Sequence, residues 1–153
     1  MRQTWISIVA SLLFLFSNTL LAQTLTIKTS ETEHTLTQEQ LKAIKPSKLT
    51  TITPWTDQAY TFEGIALADL LAHLNIITAK ANARALNDYV VEIDIKAAIN
   101  AGAFVASHLD GKAMSVRKKG PFWIVFPWSE DPKLNSRSVH TWAIWQMVEL
   151  KVE

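Results

Sequence analysis

The sequence predicts a sheet-rich α+β fold in a single domain. Segments that alternate polar and apolar residues, such as Thr24–Lys28, are typical of strands with one buried face. Short helical patterns lie between these segments, which favours helices inserted among strands. An Asp110-Gly111 pair separates two extended runs and predicts a hairpin, since both residues tolerate the positive φ angles of a tight primed turn. No internal repeat, linker or low-complexity tract divides the chain.

The amino-terminal end has the composition of a secretory signal. Arg2 is basic, residues 5–16 are almost wholly apolar, and residues 17–19 are polar. A membrane anchor is the alternative, but it needs about 20 consistently apolar residues. We expect cleavage after Ala22 and export to the periplasm. Lipid attachment of the bacterial lipoprotein kind is excluded because the chain has no cysteine.

Cleavage would divide the chain into a signal peptide, residues 1–22, and a mature domain, residues 23–153. The mature domain carries equal numbers of basic and acidic side chains and no basic stripe, so we expect no nucleic-acid partner. The absence of cysteine excludes disulfides, thiolate metal ligands and cysteine nucleophiles.

The first half of the mature domain alternates strand and helix patterns. Residues 37–44 begin with Thr-Gln-Glu-Gln, which fits the capping box of a short helix. Residues 50–55 and 60–62 are predicted to be extended. Residues 66–74 place four leucines at helical spacing and predict an amphipathic helix. Residues 89–93 are predicted to be a strand.

The second half is dominated by strand patterns. Asp94 is predicted to cap a short helix, and residues 104–109 and 112–116 form the predicted hairpin. Residues 122–126 are apolar at every position and too short for a typical helix, which predicts a central strand buried on both faces. Residues 146–152 alternate again and are predicted to close a sheet.

Four segments, in order, resemble molybdopterin-dependent oxidoreductases related to sulfite oxidase. The segments are an aromatic-x-glycine motif and apolar helix over residues 62–71, Asn-Asp-Tyr at 87–89, a hairpin and glycine-proline-strand-proline stretch over 109–127, and Ser-Val-His-Thr-Trp at 138–142. The resemblance covers roughly residues 50–152. It implies a sulfite-oxidase-like molybdopterin-binding fold, with molybdopterin as a possible cofactor.

The chain differs from this family at the residue that binds the metal. Family members usually bind molybdenum through a cysteine thiolate in the segment that precedes the aromatic-x-glycine motif, whereas residues 50–55 read Thr-Thr-Ile-Thr-Pro-Trp. A threonine hydroxyl stays protonated at neutral pH and is a far weaker donor to a soft metal than a thiolate. The chain is also shorter than the usual enzymes of the family. Thiolate-bound molybdenum is therefore not expected.

Basic residues are the first candidates for cofactor binding. Arg117 and Lys119 precede the glycine-proline pair, and the resemblance places Arg137 and His140 in a segment that is basic in the family. Guanidinium and ammonium groups suit a phosphate or another small anion. For the run at residues 117–119, a solvated turn is an equally open interpretation.

Three further residues complete the predicted binding set. Trp128 follows the apolar run and could stack on a planar ligand, although core packing is the alternative. Tyr89 and Asn87 are predicted pocket donors, with a structural turn as the alternative for Asn87. No catalytic residue is assigned.

The histidines do not predict a metal site. They show no paired spacing and stand at His34, His73, His108 and His140. His73 lies four residues after Asp69 and is expected to form a surface pair with it. His108 is expected to be a packed or hydrogen-bonded strand residue. The sequence also contains no glycine-rich phosphate loop and no serine elbow.

Two classes of function remain open. One is a periplasmic module that binds or senses a pterin or small anion and reports to a membrane sensor or redox partner. The other is an active or accessory periplasmic molybdopterin-dependent oxidoreductase. The missing thiolate favours the first class, and fold alone cannot decide between them because function belongs to the site.

Overall fold

The computed structural model describes residues 23–153, and the predicted signal peptide lies outside the described residues. Two five-stranded sheets and four short α-helices form the fold. Within this range, no helix is long and apolar enough to cross a bilayer. The elements, in chain order, are β1 (Thr24–Lys28), β2 (Glu33–Thr37), α1 (Gln38–Ile44), β3 (Ser47–Thr51), β4 (Tyr60–Ala66), α2 (Leu67–His73), β5 (Lys80–Ala85), β6 (Val90–Asp94), α3 (Ile95–Asn100), β7 (Phe104–Leu109), β8 (Lys112–Ala113), β9 (Trp123–Val125), α4 (Arg137–Trp142) and β10 (Met147–Val152).

The first sheet has the strand order β2-β1-β10-β5-β6. Strands β1 and β10 are parallel, and the other neighbours are antiparallel. The prediction that residues 146–152 form a strand of a sheet is confirmed, and this last strand lies in the middle of the sheet. Alternating burial shows that a strand has two different faces, but it carries no information about which strands lie on either side.

The second sheet has the order β3-β4-β7-β8. Strand β9 pairs with the first residues of β7, Phe104–Ala106, whereas β8 pairs with its last two residues. The strand predicted over residues 122–126 is shorter than expected, Trp123–Val125, and among the described strands its only ladder is with β7. Phe122 also forms an isolated antiparallel bridge with Met147 of β10, and the Ile124 amide donates to the Ile144 carbonyl at 3.0 Å, so the segment has neighbours besides β7. Its burial is confirmed. Phe122, Ile124 and Phe126 enter the larger core shared by the two sheets. Trp123 and Val125 enter a smaller core on the other side, which explains why every position is apolar.

Local capping signals are confirmed where they were predicted. The Thr37 hydroxyl accepts from the Gln40 amide, and the Gln40 side chain accepts from the Thr37 amide. Asp94 caps α3 by accepting from the Ala97 amide at 2.8 Å. In α2 the buried face consists of three leucines, at positions 67, 70 and 71.

Three local predictions need correction. The strand expected over residues 50–55 ends at Thr51, because the Thr53 amide donates to the Thr56 hydroxyl and closes a turn. The second strand of the hairpin spans only β8, since Val116 begins a single 3₁₀ turn. Asp69 does not pair with a histidine of its own helix. It accepts instead from Lys45 Nζ at 2.9 Å.

His108 is a buried, hydrogen-bonded strand residue. Its Nε2 lies 2.7 Å from Glu39 Oε1, and its Nδ1 lies 2.9 Å from Ser107 Oγ. The carboxylate can only accept, so Nε2 donates to Glu39. The hydrogen bond from His108 lowers the pKa of Glu39.

Candidate ligand pocket

A cavity of about 270 Å³ opens at one end of the two sheets. Its walls come from the loop after β3, the turn between β5 and β6, the end of α4, and the segment that connects α4 to β10. The lining residues are Trp55, Ala85, Asn87, Tyr89, His140, Thr141, Ala143, Ile144, Trp145 and Gln146. This cavity is concave, mostly apolar and supplied with a few polar groups, which is the usual character of a small-molecule site.

Trp55 is the centre of the aromatic wall. Its ring centroid lies 5.3 Å from that of Trp145 and 5.8 Å from that of Trp128, in edge-to-face arrangements. Trp123 packs behind it at 6.2 Å, and the His140 ring lies at 5.7 Å. Edge-to-face contacts on several sides hold the Trp55 indole in one orientation. The pocket therefore has a rigid aromatic surface before any ligand enters.

The polar groups of the pocket have defined hydrogen-bonding roles. His140 Nε2 lies 2.7 Å from Asn135 Oδ1. Because Nε2 donates to this oxygen, Nδ1 is the ring nitrogen that can form a hydrogen bond with a ligand. Asn87 Oδ1 accepts from the Tyr89 amide at 3.2 Å, which leaves the Asn87 amide nitrogen as a donor. Gln146 Nε2 donates to the Val116 carbonyl at 3.0 Å, which leaves the Gln146 oxygen as an acceptor.

Lys119 lies directly behind this wall. Its Nζ is 3.9 Å from the Trp145 ring centroid and 5.5 Å from that of Trp123, which is cation–π geometry. Its backbone adopts the left-handed conformation, and its carbonyl accepts from the Gln146 amide at 2.9 Å. Burial lowers the pKa of the Lys119 ammonium group.

The structure brings together only part of the predicted binding set. Asn87, Tyr89 and His140 line the pocket. Trp128 does not: it donates from Nε1 to the Leu134 carbonyl at 3.1 Å and lines a shallow groove on the other side of Trp55.

The two predicted arginines also lie outside the pocket lining. Arg117 is exposed in the 3₁₀ turn Val116–Lys118, and Arg137 is exposed at the start of α4. Neither is among the residues that form the cavity wall. The predicted convergence of guanidinium groups on one anion is therefore absent from the pocket of the described domain.

Sequence reasoning missed the two tryptophans that form the walls. Trp55 stands in the segment where the family resemblance places the metal-binding cysteine, and Trp145 lies in the connection between α4 and β10. Both indoles are partly exposed although they are among the largest apolar side chains of the domain. Their position in loops next to predicted strand ends was a usable signal, since binding residues concentrate in loops.

The residues near Trp55 do not fit a thiolate-bound molybdenum. The Thr51 hydroxyl lies 3.2 Å from the Ser129 hydroxyl, and the Thr53 hydroxyl donates to that of Thr56 at 3.1 Å. Both threonines are buried, and their hydroxyl oxygens are occupied by hydrogen bonds within the protein. Across residues 23–153, no group of three or more histidine, cysteine, aspartate or glutamate side chains is placed to hold a metal ion.

The pocket is better suited to a compact planar ring than to a whole phosphorylated cofactor. Its two indole walls can stack on a ring, and its amides can meet the polar edge of that ring. His140 is the one lining side chain that can become cationic, and the volume of about 270 Å³ is small for a drug-sized ligand.

No family model and no curated protein matches the chain. Among solved structures, the chain is similar to the sulfane dehydrogenase SoxCD from Paracoccus pantotrophus, with a TM-score of 0.60 and 14% sequence identity. The similarity covers 84% of this chain but only 37% of the SoxCD chain. At this identity the likeness shows the fold alone, a sheet-rich mixed α/β domain.

Proposed function

We propose that this chain is an exported, molybdopterin-oxidoreductase-like domain that binds a pterin or another compact planar anion without thiolate-bound molybdenum. The observation that carries the proposal is the pocket itself, in which Asn87, Tyr89 and His140 meet between two indoles. The family resemblance marked those three residues as candidates from separate parts of the sequence. The likeness to SoxCD supports the fold that this resemblance implies.

The arrangement suits the polar edge of a pterin. Trp55 and Trp145, whose rings contact each other edge-to-face, would flank one side of the ligand ring, with the Asn87 amide as donor and the Gln146 oxygen as acceptor for its amide-like edge. His140 Nδ1 would form a hydrogen bond with a polar substituent of the ring, since Nε2 is engaged with Asn135. A bound pterin supplies redox chemistry of its own ring, and the protein supplies orientation and exclusion of water.

We expect the exported protein to bind pterin-6-carboxylate with quenching of tryptophan fluorescence, since two indoles line the pocket. Trp145→Ala should weaken binding by about tenfold or more, because stacking of a base on an aromatic side chain is worth roughly 1–3 kcal/mol. His140→Ala should weaken it by a similar factor. Arg137→Ala should have a smaller effect because that side chain lies outside the lining.

His73→Ala is the matched control for this titration. His73 is exposed on α2 and lines no part of the pocket, so its removal should leave the affinity unchanged. Absence of quenching at millimolar pterin would contradict the proposal, as would equal losses in His73→Ala and His140→Ala.

Export is part of the proposal. The apolar run of residues 5–16 and the small residue Ala22 predict a mature protein that begins at Gln23 and lies in the periplasm. The intact mass of the protein from its own cells tests this prediction. A membrane-bound species that retains Met1 would show that the leader is an anchor instead.

The second candidate function is that of an active redox enzyme, and the likeness to a sulfane dehydrogenase favours it. We nevertheless expect less than stoichiometric molybdenum in the purified protein and no sulfite-dependent reduction of an artificial electron acceptor. The reason is chemical: the chain has no thiolate, and the hydroxyls of Thr51 and Thr53 are engaged within the loop. Elemental analysis together with an acceptor assay tests this expectation. Near-stoichiometric molybdenum together with turnover would show that the protein is an active redox enzyme.

A further inference from the structure

Exposed apolar side chains are concentrated around the mouth of the pocket. Of the seven large hydrophobic residues that are exposed within residues 23–153, three line the pocket and three lie within three residues of a lining residue in the sequence, whereas the other, Ile77, lies in the connection between α2 and β5. The six, which we term the loop face, are Ile52, Trp55, Leu86, Tyr89, Val90 and Trp145. Single exposed hydrophobic residues are ordinary, but a cluster of this kind marks an interaction surface.

Backbone hydrogen bonds join the loop face to a basic turn. The Leu86 amide donates to the Gln146 carbonyl at 3.0 Å, and the Gln146 amide donates to the Lys119 carbonyl at 2.9 Å. Leu86 and Val116 also line one shared surface cavity. Leu86 and the Trp145-Gln146 segment are therefore direct neighbours of the Arg117-Lys118-Lys119 turn.

The positive charge next to the loop face is concentrated in this basic turn. Arg117 and Lys118 are exposed, and Lys119 lies against Trp145. Four carboxylates lie on or next to the loops of the loop face, and two of them, Glu130 and Asp131, follow Ser129, whose hydroxyl accepts from the Ile52 amide. Asp88 is paired with Arg84 at 3.3 Å, and Asp57 follows the Trp55 turn. The cations that remain unneutralised are thus next to the exposed apolar side chains.

We propose that the loop face docks on a membrane surface that contains anionic phospholipid. Tryptophan and tyrosine favour the interface between water and lipid, and adjacent lysine and arginine side chains meet the negative headgroups. Tryptophan, tyrosine and arginine would also suit a protein partner, but lysine is depleted at protein–protein interfaces, and the lysines of the basic turn therefore favour an anionic lipid surface. Docking in this way would turn the mouth of the pocket towards the lipid headgroups. The proposal does not depend on which ligand the pocket binds.

The test is flotation of the exported protein with vesicles of phosphatidylcholine alone or with about one third phosphatidylglycerol. We expect binding only to the anionic vesicles, with a blue shift of tryptophan emission and loss of binding at high salt. Arg117→Gln/Lys118→Gln should weaken binding by about 25-fold, since each basic side chain near the surface contributes about fivefold. Leu86→Ser/Val90→Ser should also weaken it and reduce the blue shift.

Matched controls separate this surface from general charge and apolarity. Lys96→Gln/Lys151→Gln removes the same charge from α3 and the far end of β10, and Ile77→Ser removes an exposed apolar side chain elsewhere. Both should bind like the unmodified protein, and urea unfolding checks that every variant is folded. Equal binding to neutral vesicles, no binding at all, or equal losses in the controls would overturn the proposal. Self-association without lipid that Leu86→Ser/Val90→Ser abolishes would show that the face is a protein interface, which also overturns it.

Discussion

Gly64→Ala is expected to abolish most of the stability of the domain. A Cβ atom at this position would lie 2.0 Å from the Val105 carbonyl oxygen and 3.0 Å from the Ala106 Cα. Both atoms belong to the backbone of β7, which pairs with β4 at a register shift between Glu63 and Gly64. Neither strand can move away without breaking the ladder, so we expect a loss of at least about 4 kcal/mol, above the usual cost of overpacking.

Gly111→Ala is the control for this substitution. Gly111 also lacks a Cβ atom, but nothing lies within 4 Å of the position that a Cβ would occupy. Its φ of +81° is strained for an L-residue, so the expected cost is about 1–2 kcal/mol. Urea unfolding of the two variants separates steric overlap from conformational strain. Equal unfolding midpoints would show that β7 yields to the extra methyl group.

Trp123→Ala is expected to cost about 3–5 kcal/mol, a large part of the roughly 5–15 kcal/mol typical of a domain. The side chain is only 2% exposed and packs edge-to-face on Phe62 at 5.4 Å. Its indole N–H donates to the Ala143 carbonyl at 3.2 Å, so truncation leaves both a cavity and an unpaired buried acceptor. Phe126→Ala in the larger core should have a comparable cost.

The same substitution should also weaken binding in the pocket, since Trp123 supports both wall residues. Its ring lies 6.2 Å from that of Trp55 and 6.5 Å from that of Trp145. Urea midpoints measure the stability, and the pterin titration measures the binding. His73→Ala should change neither. If Trp123→Ala lowered the midpoint no further than His73→Ala, the placement of this strand would be wrong.

Features that depend on a few adjacent residues could be predicted from the sequence. The Thr37 capping box and the Asp94 cap join groups three residues apart, so their chemistry is visible in the sequence. The primed turn at Asp110-Gly111 has positive φ at both residues, as predicted. The burial of residues 122–126 also follows from composition, because five consecutive apolar side chains leave no face for solvent.

The pocket could be predicted only in part. Asn87, Tyr89, Arg137 and His140 were proposed through the resemblance of two separate segments to one family, whereas the run of basic residues directed attention to Arg117. Arg117 and Arg137 are both exposed, because a long basic side chain stays solvated unless another element covers it. Charge in a sequence shows which anion contacts are chemically possible, and only packing decides which of them face a cavity.

The sequence by itself determined the local elements, the apolar strand and the lack of a thiolate for a metal. The tertiary structure alone decided that β10 lies between β1 and β5, that β9 forms its ladder with β7, and that Trp55 and Trp145 come into edge-to-face contact at 5.3 Å in the pocket wall. The physical reason is distance along the chain. Strand order and pocket walls depend on contacts between segments many tens of residues apart, and the alternation of polar and apolar residues records burial without recording the neighbour.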